Sequence, residues 1–115
     1  MKNTLLSDFG HQDDTWLDML PDILFVLDEV GTILECRGGD PRDLTLPRRS
    51  LIGKRITKCP FGNVGSQFQS AMTTVRTAKK PVSIEYTLPC DNGLAHFEAR
   101  LTRSDDGRFV AVVRN

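Results

Sequence analysis

In this 115-residue chain the side chains best able to do chemistry are three cysteines, two histidines and a scatter of carboxylates. Cys36, Cys59 and Cys90 are odd in number and share no metal-ligand spacing, so reduced cytosolic thiols are the economical reading. His11 and His96 lie far apart with no cysteine beside either at ligand spacing, which argues against a metal site. No Cys-x-x-Cys-His run is present to attach a haem. Gly53-Lys54 looks like the tail of a phosphate-binding loop. Arg48 stands where its first glycine belongs and Arg55 replaces its Ser or Thr, so that reading fails. Gly38-Gly39-Asp40 reads as a turn, with no helix start behind it to cradle a phosphate. Cys59 can be a redox or adduct-forming thiol, but a small buried hydrophobe is the favoured role. Trp16 can stack on a flavin, but it is better read as the anchor of a short amphipathic helix. No nucleophile–base pair emerges, so this segment is not expected to be an enzyme.

Charge narrows the partners. The formal net charge is zero, which disfavours a dedicated nucleic-acid binder. Residues 1–40 hold nine acids and two bases, whereas residues 41–115 hold six acids and thirteen bases. The acidic part can dock on the basic remainder, within a chain or across a dimer, or both can stay separately solvated. Arg48, Arg49, Lys54, Arg55 and Lys58 cluster without interleaved aromatics, which favours a solvated loop face over an RNA or DNA patch. No signal peptide and no apolar run of spanning length is visible, so the expected location is cytoplasmic, without membrane contact.

These side chains must be positioned by elements that the hydrophobic period marks out. Residues 1–12 carry no pattern and are expected to fray. A short helix over 13–20 is predicted, capped by Asp13 or Asp14, with Trp16, Met19 and Leu20 as its apolar face and Pro21 as its stop. Ile23–Asp28 reads as a strand covered on both faces, Gly31 as the turn and Thr32–Cys36 as the return strand. Residues 37–58 break into short helices and turns. Val64–Lys79 is the one long helix, with Val64, Phe68, Ala71, Met72, Val75 and Ala78 on its inner face. Three strands follow, over 82–88, 94–103 and 108–114, joined by Asp-Asn-Gly and Asp-Asp-Gly turns. In the last, Phe109, Ala111 and Val113 share one face, and Val110 and Val112 make the other apolar too. Glu85, Glu98 and Arg100 fall on polar faces of neighbouring strands, where a cross-strand ion pair can form without any catalytic role. The expected fold is α+β: a five-stranded antiparallel sheet with short helices and one long helix on one face, plus the N-terminal helix.

That order resembles a PAS domain, a sensory-box fold, over roughly Asp14–Asn115. The segments that carry the resemblance are LPDILFVLDEVGTIL, LIGKRI before the long helix, the pair IEYTL and HFEAR, and the terminal VAVVRN. GGDPRDLTLP is similar to a PAS subgroup that precedes diguanylate cyclase (GGDEF) and histidine kinase outputs in bacteria. The resemblance implies a sensor domain over 21–115 in signal transduction, ahead of a C-terminal output domain of the same polypeptide. A diguanylate cyclase is the expected output, with a histidine kinase as the alternative. The chain stops where the last strand would hand over to that domain, which suggests an excised N-terminal segment. The Asn-Cys-Arg-Phe-like run of flavin-binding members is absent, and residues 57–79 hold no histidine for haem. Both cofactors are therefore disfavoured, leaving an unidentified small organic ligand or none.

Two binding expectations follow. Ala95, Ala99 and Ala111 on the helix-facing side leave room either for close helix packing or for a ligand. A ligand pocket there would be bounded by Phe68, Met72, Val75, Tyr86, Phe97, Ala99 and Ala111. The apolar outer face at Val110 and Val112, with Trp16, Met19 and Leu20, is expected to form the interface of a parallel homodimer. The alternative is a ligand-free dimerisation or protein-interaction module with its cavity filled by its own side chains.

Overall fold

The computed structural model describes residues 19–40, 44, 47–90 and 93–115. Two strands open it, β1 (Ile23–Leu27) and β2 (Ile33–Gly38). The turn between them is built by Asp28, whose carboxylate accepts the backbone N–H groups of Val30 at 3.0 Å and Thr32 at 2.9 Å. Gly31, at φ 89°, supplies the left-handed step the turn needs. Partial burial opposes ionisation of Asp28, but the N–H donors of Thr32 and Val30 outweigh it and hold the carboxyl below its ordinary range.

A layer of short pieces follows: helix α1 (Arg48–Leu51), a 3-10 turn over Ile56–Lys58, and the long helix α2 (Val64–Ala78). Lys79 ends α2 in the left-handed region at φ 56°, donating its N–H to the Val75 carbonyl at 2.9 Å. Three long strands complete the sheet, β3 (Val82–Cys90), β4 (Gly93–Arg103) and β5 (Phe109–Arg114). All pairs are antiparallel, in the order β2-β1-β5-β4-β3. The first strand therefore lies beside the last, with Phe25 opposite Ala111.

The helices cover one sheet face. Leu27, Phe68, Met72, Leu101 and Phe109 are almost wholly buried between the layers. Cross-links fix the layers' relative position. Gln67 donates to the Glu85 carbonyl at 2.7 Å, tying α2 to the edge strand β3. Arg48 donates to the carbonyls of Gly38 and Gly39, holding α1 to the end of β2. Arg76 reaches the Glu29 carbonyl at 2.6 Å, and Arg103 pairs with the Glu29 carboxylate at 3.6 Å. Both guanidiniums stand over the Phe109 ring, at 5.1 and 5.6 Å from its centre. The β4–β5 turn is stapled by Asp106, which accepts from Arg108 and Ser104. The Arg108 guanidinium, then the Ser104 hydroxyl, hold that carboxyl well below the usual carboxylate range.

The predicted sheet, hairpins and long helix are all present, and several details differ. β2 extends to Gly38, two residues beyond the expected end, because Arg37 and Gly38 still pair with Leu24 and Ile23. Ala78 is exposed, since α2 ends there and its last turn passes the edge of the sheet layer. β5 is not buried twice over: Val110 is half-buried and Val112 is 38% exposed. Its central place in the sheet supplies strand neighbours at its edges, which favours valine without burying both faces. Glu85 sits directly opposite Glu98 in the β3–β4 register and Ser83 opposite Arg100, so like charges face each other at the first of these pairs. Most of the 13–20 helix lies outside the described residues. Met19 is 81% exposed, and Leu20 is half-buried with its carbonyl accepting the Gly39 N–H at 2.8 Å.

Candidate functional site

An apolar cavity of about 580 Å3 lies beneath the short helical pieces. That volume lies in the range of small-molecule sites. Its floor is the inner face of the sheet, where strand parity points Ile23, Phe25, Val113, Phe97 and Tyr86 toward the helices. Its roof is the irregular segment, which contributes Leu44, Leu51, Ile56 and Cys59. The first two turns of α2 close one end with Val64 and Phe68.

An aromatic run lines the far wall. Phe68 meets Tyr86 edge-on at 5.5 Å between ring centres, and Tyr86 stacks on Phe97 at 5.6 Å. The rim is formed by exposed residues, Lys54, Arg55 and Lys58 with Pro60 and Phe61. Among the described residues no aspartate, glutamate or histidine lines the cavity. Among the described residues no group of three or more His, Cys, Asp or Glu could hold a metal ion. The arrangement is fitted to binding by shape and apolar contact.

The roof is held where it is by the backbone. Ile33 donates to the Lys54 carbonyl and Ile56 to the Gly31 carbonyl, both at 2.8 Å, so the 54–56 strip runs against the start of β2. Gly65 brings α2 against this strip. A methyl group on it would fall 2.5 Å from the Thr57 carbonyl oxygen, so only glycine allows so close an approach.

Of the seven residues expected to bound a pocket, the structure places Phe68, Tyr86 and Phe97 on the cavity wall. Met72, Val75, Ala99 and Ala111 lie in the close-packed core and do not line it. Ala99 and Ala111 are fully buried, so their small size serves layer packing. The cavity overlaps the expected pocket at the three aromatics and extends from them toward the short helical pieces. Leu44, Leu51, Ile56, Cys59 and Val64 were not anticipated as wall residues. Their signal was the run of isolated apolar residues between 44 and 64 that no regular element can absorb. On the outer face, Val110, Val112, Met19 and Leu20 are placed as given above, and Trp16 lies outside the described residues.

No protein-family model matches the sequence, and a search of curated proteins finds no match either. Solved structures do match. A domain of a sensory box sensor histidine kinase/response regulator from Geobacter sulfurreducens is 15% identical, covers 98% of each chain and superposes with a TM-score of 0.74. A PAS domain from Colwellia psychrerythraea is 14% identical, over 94% of this chain and 97% of that one, with a TM-score of 0.72. The PAS domain of the RpfR quorum-sensing receptor from Cronobacter turicensis, in complex with C12:0, is 14% identical over 83% and 93%, with a TM-score of 0.68. The chain has the PAS fold.

Proposed function

We propose that this chain is a signal-sensing input domain whose apolar cavity takes up a small organic ligand and reports it to an output domain of the same polypeptide. The single observation that carries this reading is the cavity itself. A sheet face that only had to fold would be covered closely by its helices, whereas an apolar cleft of about 580 Å3, open at its rim, lies beneath α1 and the 3-10 turn. Its floor includes Val113, so an occupant touches β5, the last strand of the sheet. The complex of the RpfR PAS domain with C12:0 supports a ligand-binding role on this fold. Haem and flavin are not proposed as occupants, since residues 57–79 hold no histidine and the sequence has no Asn-Cys-Arg-Phe-like run.

The output we favour is a diguanylate cyclase, on the similarity of GGDPRDLTLP to PAS segments ahead of such domains. A histidine kinase is the second reading, favoured by the sensor histidine kinase origin of two similar structures. The domain is further proposed to work as a parallel homodimer through its outer sheet face, where Leu34 and Val112 are each 38% exposed. A switch of this kind needs two states a few kcal/mol apart and a ligand that binds one better.

Native mass spectrometry of the purified domain, with an absorption spectrum beside it, tests the reading. A co-purified small molecule without a visible absorption band is the expected outcome. A clean apo mass that no small organic compound shifts favours the ligand-free interaction module instead.

A further inference from the structure

We infer that the cavity's occupant is an anionic amphiphile, an apolar chain inside with a carboxylate-type head held at the rim by Lys54, Arg55 and Lys58. This rests on the cavity being the sensing site, and it adds the chemical class of the ligand. Three observations carry it. The cavity wall is apolar, yet among the described residues its rim holds three bases and no acid. From residue 44 to residue 84 the sequence contains eight bases and no aspartate or glutamate, so the layer that roofs the cavity is cationic throughout. Among the described residues no carboxylate pairs with Lys54, Arg55 or Lys58, although four other ion pairs form elsewhere.

The three bases also stand on a fixed frame. Lys54 and Arg55 belong to the strip bonded to β2, with Arg55 bridged to Thr32. Lys58 closes the 3-10 turn, its N–H bonded to the Arg55 carbonyl at 3.0 Å. The side-chain hydrogen bond found for Arg55 runs from Nε to the Val30 carbonyl at 3.4 Å, a long contact that leaves the guanidinium edge available. Long basic side chains lay apolar stems along a cavity mouth and keep their charge in water. A head group bound there stays hydrated while its chain is buried, so no charge has to be taken into the apolar interior. A neutral hydrocarbon leaves the three like charges uncompensated, and a polyanion such as a nucleic acid has no use for the apolar chamber below.

The test is calorimetric titration of the domain with decanoate and with 1-decanol, which share a chain and differ in head charge. The wild type should bind decanoate about tenfold more tightly. The preference should shrink in about 0.5 M salt, because exposed charges are screened. It should also be lost in a Lys54→Gln, Arg55→Gln, Lys58→Gln triple variant whose circular dichroism is unchanged. Lys58→Gln alone, with no backbone bridge at risk, should lose part of it. Equal affinity for the two compounds, or a preference that survives the triple variant, overturns the head-group assignment while leaving the cavity as a binding site. Failure of both compounds to bind the wild type overturns the assignment and weighs against the sensor reading as well.

Discussion

Adding volume to the two ends of the helical layer should have opposite consequences. Ala99 is fully buried, stands between Ile84 and Val113 in the sheet, and does not line the cavity. Ala99→Leu forces extra carbons into a packed region and should cost about 1–3 kcal/mol. Val64 is only 3% exposed but faces the open chamber from the first turn of α2. Val64→Leu adds one methylene with space to enter, which should be neutral or stabilise by up to about 0.8 kcal/mol. The two variants should therefore differ by about 1–4 kcal/mol, and each kcal/mol is worth roughly 4 °C in melting temperature for a domain of this size. Urea unfolding of both proteins beside the wild type, with the slope checked for constancy, measures the difference. A tolerated Ala99→Leu beside a costly Val64→Leu would refute the reasoning, because free volume would then lie under β4 and not under the roof.

Gly65→Ala sets two effects against each other. Helix propensity alone favours alanine by about 1 kcal/mol, but the contact at 2.5 Å with the Thr57 carbonyl should make the variant less stable than wild type by more than that. A raised melting temperature would mean that α2 does not press on the roof. Acid should weaken the β4–β5 turn, because the folded-state pKa of Asp106 is depressed. Its contribution is present above the unfolded value of about 4 and is lost as pH falls through the folded value. Asp106→Asn should thus be less stable than wild type at neutral pH, with a gap that narrows on acidification, and a gap independent of pH would count against the Arg108 pairing. Val112→Asp should convert a sedimenting dimer to a monomer with its circular dichroism intact. A wild type that stays monomeric at high concentration removes the dimer.

The parts of this fold visible in the sequence are those with local periodic signals. β3 and β4 alternate with a period of two, a glycine turn precedes both β4 and β5, and α2 shows a helical stripe from Val64 to Val75. The pairing of β1 with β5 is a contact between the two ends of the chain, which local pattern does not encode. The cavity was harder to locate. Alanines on a sheet face signal either a void or close helix approach, and here Ala99 and Ala111 serve the approach. The void lies where the chain is least regular, under Leu44, Leu51 and Ile56, whose isolated apolar side chains give no period to read. Double-sided apolar character also misled at β5, where Val112 is exposed although its neighbours in sequence are buried.

The most direct test of a ligand-sensing cavity compares methyl NMR spectra of the domain as purified from cells and after unfolding, extraction and refolding. Differences should concentrate at methyls that face the chamber, those of Ile23, Ile33, Leu44, Ile56, Val64 and Val113. The methyls of Val75 and Leu101 in the close-packed core should hold still. Identical spectra, with neither preparation altered by decanoate or 1-decanol, or changes centred on Val75 and Leu101, would contradict a ligand held beneath the roof.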